Sequence, residues 1–269
     1  MIPNVLSIAG SDPSGGAGIQ ADLKTFGALG CYGMAVITAL TAQNTQGVSG
    51  VHVPPAAFAA AQIDSIFADV RVDAVKIGML ASGEIVEAVA SRLRAHHARN
   101  IVLDPVLVAT SGDSLGAPDV VDAMKRHLIP LAEVVTPNVP EAMRLADSQE
   151  DPADAEALEA LARTLHGLRA RAVLVKGGHL AGDLAPDVLF DGARVSTFTA
   201  VRIDTRNTHG TGCTLSSAIA AHLARGLTLR DAVAAAKAYL TGALAASGEL
   251  SVGSGTGHGP VHHFHNLWT

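Results

Sequence analysis

The run Asn207-Thr208-His209-Gly210-Thr211-Gly212-Cys213-Thr214 places two glycines, several hydroxyls and a thiol directly ahead of an apolar, Ala-rich segment, residues 215–223. Small residues leading into a helix gather backbone N–H groups around one point at the positive end of the helix dipole, which makes an anion site from main chain alone. Cys213 stands at the mouth of that site. A phosphate cradle beside an ionisable group is the minimum equipment for phosphoryl transfer, although the same pair of features also suits a thiol enzyme.

Two common nucleotide loops are excluded. Gly16-Ala17-Gly18-Ile19-Gln20-Ala21 fits the G-x-G-x-x-A spacing, but it begins some residues after the preceding strand ends, and the acidic residue expected at the end of the next strand is missing. Residues 18–25 resemble a Walker A loop only superficially, because Leu23 stands where its second glycine is required.

The elements that must position this chemistry alternate between strand and helix. Apolar runs at 5–9, 34–40, 74–79, 101–106, 133–136 and 172–176 read as strands, with helices at 19–29, 56–70, 84–98, 119–128 and 153–168. The strands are continuously apolar rather than alternating, as expected when helices cover both faces of a parallel sheet. Residues 188–198 differ: Asp191-Gly192 at their centre predicts an antiparallel hairpin at one sheet edge. Thr228-Leu229-Arg230-Asp231 opens a last helix to about residue 246 as a capping box. The fold expected is one three-layer α/β/α domain over residues 1–269, without linker or repeat. Ligands of such sheets sit beyond the carboxyl ends of the strands. That selects Ser11-Asp12, Gln43-Asn44, 76–79, Asp104, 136–138 and 176–179.

Bulk properties agree with an enzyme acting on a small molecule. The 269 residues are 48% hydrophobic, but the apolar runs are broken by Gly, Thr or charge well short of a membrane span. A net charge of −6 argues against nucleic acid or an anionic membrane as partner. Met1-Ile2-Pro3-Asn4 lacks the basic start of a signal peptide, and Cys31 and Cys213 form no disulfide framework, which suits a cytoplasmic setting. The histidines of the tail, His258, His262, His263 and His265, have no nearby Cys or carboxylate to make a metal site.

Eight stretches in order resemble the hydroxymethylpyrimidine/phosphomethylpyrimidine kinases of thiamine biosynthesis, within the ribokinase-like superfamily. They are 7–30 (SIAGSDPSGGAGIQADLKTFGALG), 38–47 (TALTAQNTQG), 75–80 (VKIGML), 104–113 (DPVLVATSGD), 136–142 (TPNVPEA), 175–180 (VKGGHL), 207–221 and 257–264 (GHGPVHHF). Thr110 departs from the Lys expected there. The resemblance implies a ribokinase-like fold with a mostly parallel central sheet. It also implies ATP- and Mg²⁺-dependent phosphorylation of 4-amino-5-hydroxymethyl-2-methylpyrimidine to its monophosphate and then its diphosphate, by a cytoplasmic homodimer. In that pattern Cys213 takes the place of the superfamily's aspartate base. A free thiol has a pKa of about 8.5 and a helix N-terminus lowers it, so a thiolate is expected at neutral pH. Gly210, Thr211 and Gly212 would hold the transferring phosphoryl, and Lys176, Thr208 and Asn138 the nucleotide. Asp104 and Glu141 are the Mg²⁺-side candidates, while Gln43, Asp22, Met79 and Gly10 would line the pyrimidine pocket. Gln43 offers a donor and an acceptor side by side, matching a ring nitrogen and an exocyclic amine. A pyridoxal or pyridoxine kinase and a non-catalytic pyrimidine-binding module remain as alternatives.

Overall fold

Short β-branched and aliphatic runs interleaved with amphipathic ones build a sheet with helices on both faces. The computed structural model describes residues 1–107, 119–178 and 180–268. In chain order the first half holds β1 (Asn4–Gly10), α1 (Gly18–Ala28), β2 (Tyr32–Asn44), β3 (Gly47–His52), α2 (Ala56–Asp69), β4 (Ala74–Ile77), α3 (Gly83–Ala95), β5 (Ile101–Leu103) and α4 (Val120–Ala123). The second half adds β6 (Val134–Val135), α5 (Val139–Ala146), α6 (Ala155–His166), β7 (Val173–Lys176), β8 (Leu184–Phe190), β9 (Val195–Val201), α7 (Thr211–Ala224) and α8 (Leu229–Ala245).

The described strands form one sheet in the order β3-β2-β1-β4-β5-β6-β7-β8-β9. The strands from β2 to β7 run parallel, and β8–β9 is the expected antiparallel edge ribbon, turning at Asp191-Gly192. A second antiparallel ribbon at the opposite edge was not expected. There β2 continues past residue 40 and folds back as β3, pairing Asn44 with Gly47. Gln43, expected beyond a strand end, therefore lies on a hairpin arm. Helix α5 was also unforeseen. It is only eight residues long, carries Pro140 in its first turn and is nucleated by a capping box between Asn138 and Glu141. The helix expected at 119–128 is instead α4 followed by a π turn over Met124–Leu128 and a 3₁₀ turn over Ile129–Leu131.

Two apolar cores flank the sheet. One packs Leu6, Val75, Ile77 and Leu103 against α2, α3, α5 and α6; the other packs Val5, Ala74, Val102 and Leu174 against α1, α7 and α8. Successive strand residues point to opposite faces. Ser7, Lys76, Asp104 and Lys176 therefore fall on the face covered by α1 and α7. The small residues of α7 let it sit among α1, α8 and the central strands, with residues 214–223 all buried. Among the described residues no helix is long and apolar enough to cross a membrane.

Candidate active site

A cavity of about 700 Å³ opens between the N-terminus of α7 and the carboxyl ends of the strands. Gly210 is the N-cap of α7 with φ +79°, the left-handed region that glycine enters freely. An added Cβ there would run into the Gly16 carbonyl oxygen. A Cβ at Gly212 would lie 3.2 Å from Lys176 Nζ and 3.4 Å from an Asp104 oxygen. The glycines of the 207–214 run thus bring the helix terminus against both the 13–18 loop and a charged cluster.

That cluster is organised around Lys176. Its ammonium donates to Asp104 Oδ1 at 2.7 Å and faces Glu141 Oε2 at 3.9 Å. Asp104 also accepts from Thr136 Oγ1 at 3.2 Å and Ser216 Oγ at 3.4 Å. Glu141 is fixed by the capping box: Asn138 N donates to Glu141 Oε2 at 2.8 Å and Glu141 N to Asn138 Oδ1 at 2.9 Å. Burial pushes the Glu141 carboxyl up to about 7; Lys176 opposes the shift and the neighbouring Asp104 charge adds to it. Lys176 is held above the usual lysine range because Asp104 and Glu141 outweigh its burial. Among the described residues no three His, Cys, Asp or Glu side chains close around one point. Two carboxylates around one corner fit a Mg²⁺ that arrives with phosphate and water ligands of its own.

A second ion pair reaches the cavity wall only through Lys76. Lys76 Nζ donates to both oxygens of Asp22 at 2.9 Å. Asp22 further accepts from Ser7 Oγ at 2.6 Å and Ser217 Oγ at 2.7 Å, and neither Lys76 nor Asp22 is exposed. The pyrimidine contact expected of Asp22 is therefore corrected. Its carboxylate is spent on four hydrogen bonds from three internal side chains, and Asp22 does not line the cavity. The stripe Ile19, Asp22 and Phe26 on the buried side of α1 accounts for that placement.

The thiolate expected of Cys213 is also corrected. Cys213 lines the cavity, and burial pushes its thiol up to about 11, so the resting group is protonated at neutral pH. Lys76 pulls the value down, as does the Gly18 backbone, while the charges of Asp22 and Asp104 push it up. Desolvation and two carboxylates outweigh the Lys76 charge and the Gly18 backbone.

Gly10, Gln43 and Met79 line one end of the cavity, and Asn138, Thr208 and Thr211 line it elsewhere. A Cβ on Gly10 would come within 2.9 Å of the Met79 sulfur, so glycine leaves room for the thioether. Gln43 Oε1 accepts from Thr41 Oγ1 at 3.2 Å. Ile203, Leu240 and Leu244 add apolar surface to the cavity wall. The tail histidines go separate ways: His258 approaches Thr208 Oγ1 at 3.5 Å, His263 pairs with Thr214 at 3.1 Å, and His265 packs on Tyr239. Cys31 is buried at the end of α1. Thr110 and His179 lie outside the described residues.

Three participants were singled out in the sequence only by position and were given no role there: Lys76 and Asp12 beyond strand ends, and His209 within the 207–214 run. Asp12 Oδ2 accepts from His209 Nε2 at 2.7 Å, from Ala17 N at 2.8 Å and from Gly16 N at 3.2 Å. Asp12 Oδ1 accepts from Ser14 N at 2.9 Å and Ser14 Oγ at 2.7 Å. The signal for Lys76 was available, because a lysine two places beyond Ala74 must share its face of the sheet.

The profile of the phosphomethylpyrimidine kinase family matches residues 12–262. The hydroxymethylpyrimidine/phosphomethylpyrimidine kinase of Rhizobium meliloti (strain 1021) is 55% identical over 266 residues, which is 98% of this chain and 97% of that one. Among solved structures, the phosphomethylpyrimidine kinase of Clostridium difficile 630 is 40% identical with a TM-score of 0.79, covering 89% of this chain and 98% of that one. The pyridoxal kinase of Staphylococcus aureus in complex with AMP-PCP and pyridoxal is 33% identical with a TM-score of 0.89, covering 99% and 95%.

Proposed function

We propose, for a chain that belongs to the phosphomethylpyrimidine kinase family, two successive transfers from ATP. The first goes to the hydroxymethyl group of 4-amino-5-hydroxymethyl-2-methylpyrimidine and the second to the resulting monophosphate, giving the diphosphate used in thiamine biosynthesis. The observation that carries this reading is the single cavity in which the α7 N-terminus meets Lys176 on one side and the Gln43–Met79 end on the other.

The N–H groups of the first turn of α7 have no helical partner and point where the γ-phosphoryl would sit. Lys176 neutralises charge as it moves toward the β-phosphate. Asp104 and Glu141 would hold Mg²⁺ directly or through water, and the ion would supply further neutralisation of the phosphate oxygens. Asn138 and Thr208 border the nucleotide. Gln43 would read the amine and adjacent ring nitrogen, with the ring laid against Met79 beside Gly10.

In the first transfer the alcohol oxygen bonds to the γ-phosphorus as the bond to the bridging β–γ oxygen breaks, and the alcohol proton passes to the Cys213 sulfur. That role requires the thiolate, so the thiol proton must leave before transfer, with the Lys76 charge favouring its departure. The second acceptor is already an anion at neutral pH and has no proton to give up.

The homodimer and the cytoplasmic setting belong to the same proposal. Tyr32, Leu40, Val51 and Phe58 are exposed apolar residues on β2, β3 and α2, and their exposure supports self-association. Pyridoxal is a second reading, favoured by the close fold likeness to the Staphylococcus aureus enzyme. A coupled ADP-release assay with ATP, Mg²⁺ and, in turn, the pyrimidine alcohol, its monophosphate and pyridoxal tests the proposal. Turnover of both pyrimidines with lower efficiency on pyridoxal is expected. Preference for pyridoxal would transfer the assignment, and no ADP release with any acceptor would leave a binding module.

A further inference from the structure

The two glycine-rich loops beside the phosphate corner are not held by α7 alone. Residues 13–18 wrap the Asp12 carboxylate, which takes three backbone N–H groups from them, at Ser14, Gly16 and Ala17. The same carboxylate takes the ring N–H of His209, the residue directly before the Gly210 cap. Asp12 is 1% and His209 5% exposed. The fit between the loops leaves no slack: a Cβ on Gly16 would strike the His209 ring, and one on Gly210 would strike the Gly16 carbonyl. His209 N also donates to the Gly259 carbonyl at 3.0 Å, which fixes the backbone on which the ring is mounted. Hydrogen bonds to the carboxylate and the Coulombic pull of His209 outweigh burial and hold the Asp12 carboxyl below its ordinary range, so it is an anion with five donors.

We propose that the Asp12–His209 pair is a positioning device that sets the angle of the Gly210–Cys213 turn toward the transferring phosphoryl. The inference rests on the kinase reading above. It differs from the role of Cys213, because a cradle serves every transfer whereas a proton acceptor serves only the alcohol. Neither residue takes part in bond making. Displacing a phosphoryl cradle by a fraction of an ångström to an ångström is enough to cost a large factor in rate, because the donors must meet charge that develops only in the transition state.

The test compares His209→Leu, His209→Gln, His209→Asn, Asp12→Asn and the double variant Asp12→Asn/His209→Leu with the parent protein. Rates are measured on the pyrimidine alcohol and its monophosphate, and on ADP release with water as acceptor. The water reaction reads the cradle even where neither pyrimidine is a substrate, so failure of the kinase reading and failure of this inference separate. His209→Leu is expected to slow kcat about 100-fold on every acceptor by the same factor, with KM for the pyrimidine changed less than about threefold. Gln can place an amide N–H where the ring nitrogen stood and is expected to recover most of the loss. Asn is one carbon shorter and is expected not to. The double variant should be no slower than the slower single variant, since both remove one interaction. Equal rates for the Gln and Asn variants, multiplicative losses in the double variant, or a fall confined to the alcohol would each overturn the proposal. Should His209→Leu fail to fold, the Gln and Asn variants carry the comparison.

Discussion

Lys76, one residue before the end of β4, and Lys176, the last residue of β7, lie on the same face of the sheet, and each meets an aspartate, yet the two pairs serve opposite ends. Lys76 gives its ammonium to both oxygens of Asp22, and Ser7 and Ser217 complete that carboxylate at zero exposure. Lys176 has a 12% exposed side chain, binds one oxygen of Asp104 and faces Glu141 at 3.9 Å across the cavity wall. The carboxylate of the closed pair has no acceptor capacity left for a ligand. The open one leaves donors on its ammonium and holds a carboxyl poised near neutrality, about 7. Saturation of hydrogen bonds, rather than residue type or strand position, separates a pair that supports the site from one that handles phosphate.

This comparison can be broken by removing one partner from each pair. Asp22→Ala strands a fully buried ammonium and is expected to cost about 3–5 kcal/mol of unfolding free energy in denaturant titrations. Lys176→Gln should cost far less stability but about 100-fold in kcat on both acceptors, since it removes charge needed in the transition state. If the Lys176 variant lost stability and kept activity while the Asp22 variant did the reverse, the two roles would be exchanged.

A smaller effect sharpens the same contrast through pH. The Cys213 thiol is pushed up to about 11, so its active, deprotonated form grows as pH rises. The rate on the alcohol is therefore expected to climb up to about tenfold per unit from about pH 7 to about 9. The rate on the monophosphate should stay flat there, because its acceptor phosphate is ionised already. Parallel profiles for the two acceptors would remove the reason for assigning the proton to Cys213.

Much of this architecture was legible in the chain. The alternation of apolar runs gave the layers, Asp191-Gly192 gave the β8–β9 ribbon, and the glycines before residue 214 gave the helix terminus at the cavity. The misreadings have physical causes. The β2–β3 hairpin escaped because residues 41–50 are polar and edge-exposed, with no Asn-Gly or Asp-Gly turn to announce them. Helix α5 is shorter than the window in which a helical period can be recognised, although its cap residues Asn138 and Glu141 were visible. Asp22 was read as a pocket residue from the family resemblance, whereas the spacing from Ile19 to Phe26 puts it on the inner stripe of α1. The thiol of Cys213 was read from its helix terminus alone. Its actual surroundings include Asp22, Lys76 and Asp104, which come from three distant segments and meet only in the fold.

The most direct test of the central claim is the ratio of the two phosphorylation rates in Cys213→Ser. A proton acceptor needed only by the alcohol predicts a fall of about 100-fold or more in the first transfer, with the second kept within about threefold of the parent protein. An equal fall in both transfers would contradict that claim and return Cys213 to the wall of the cradle.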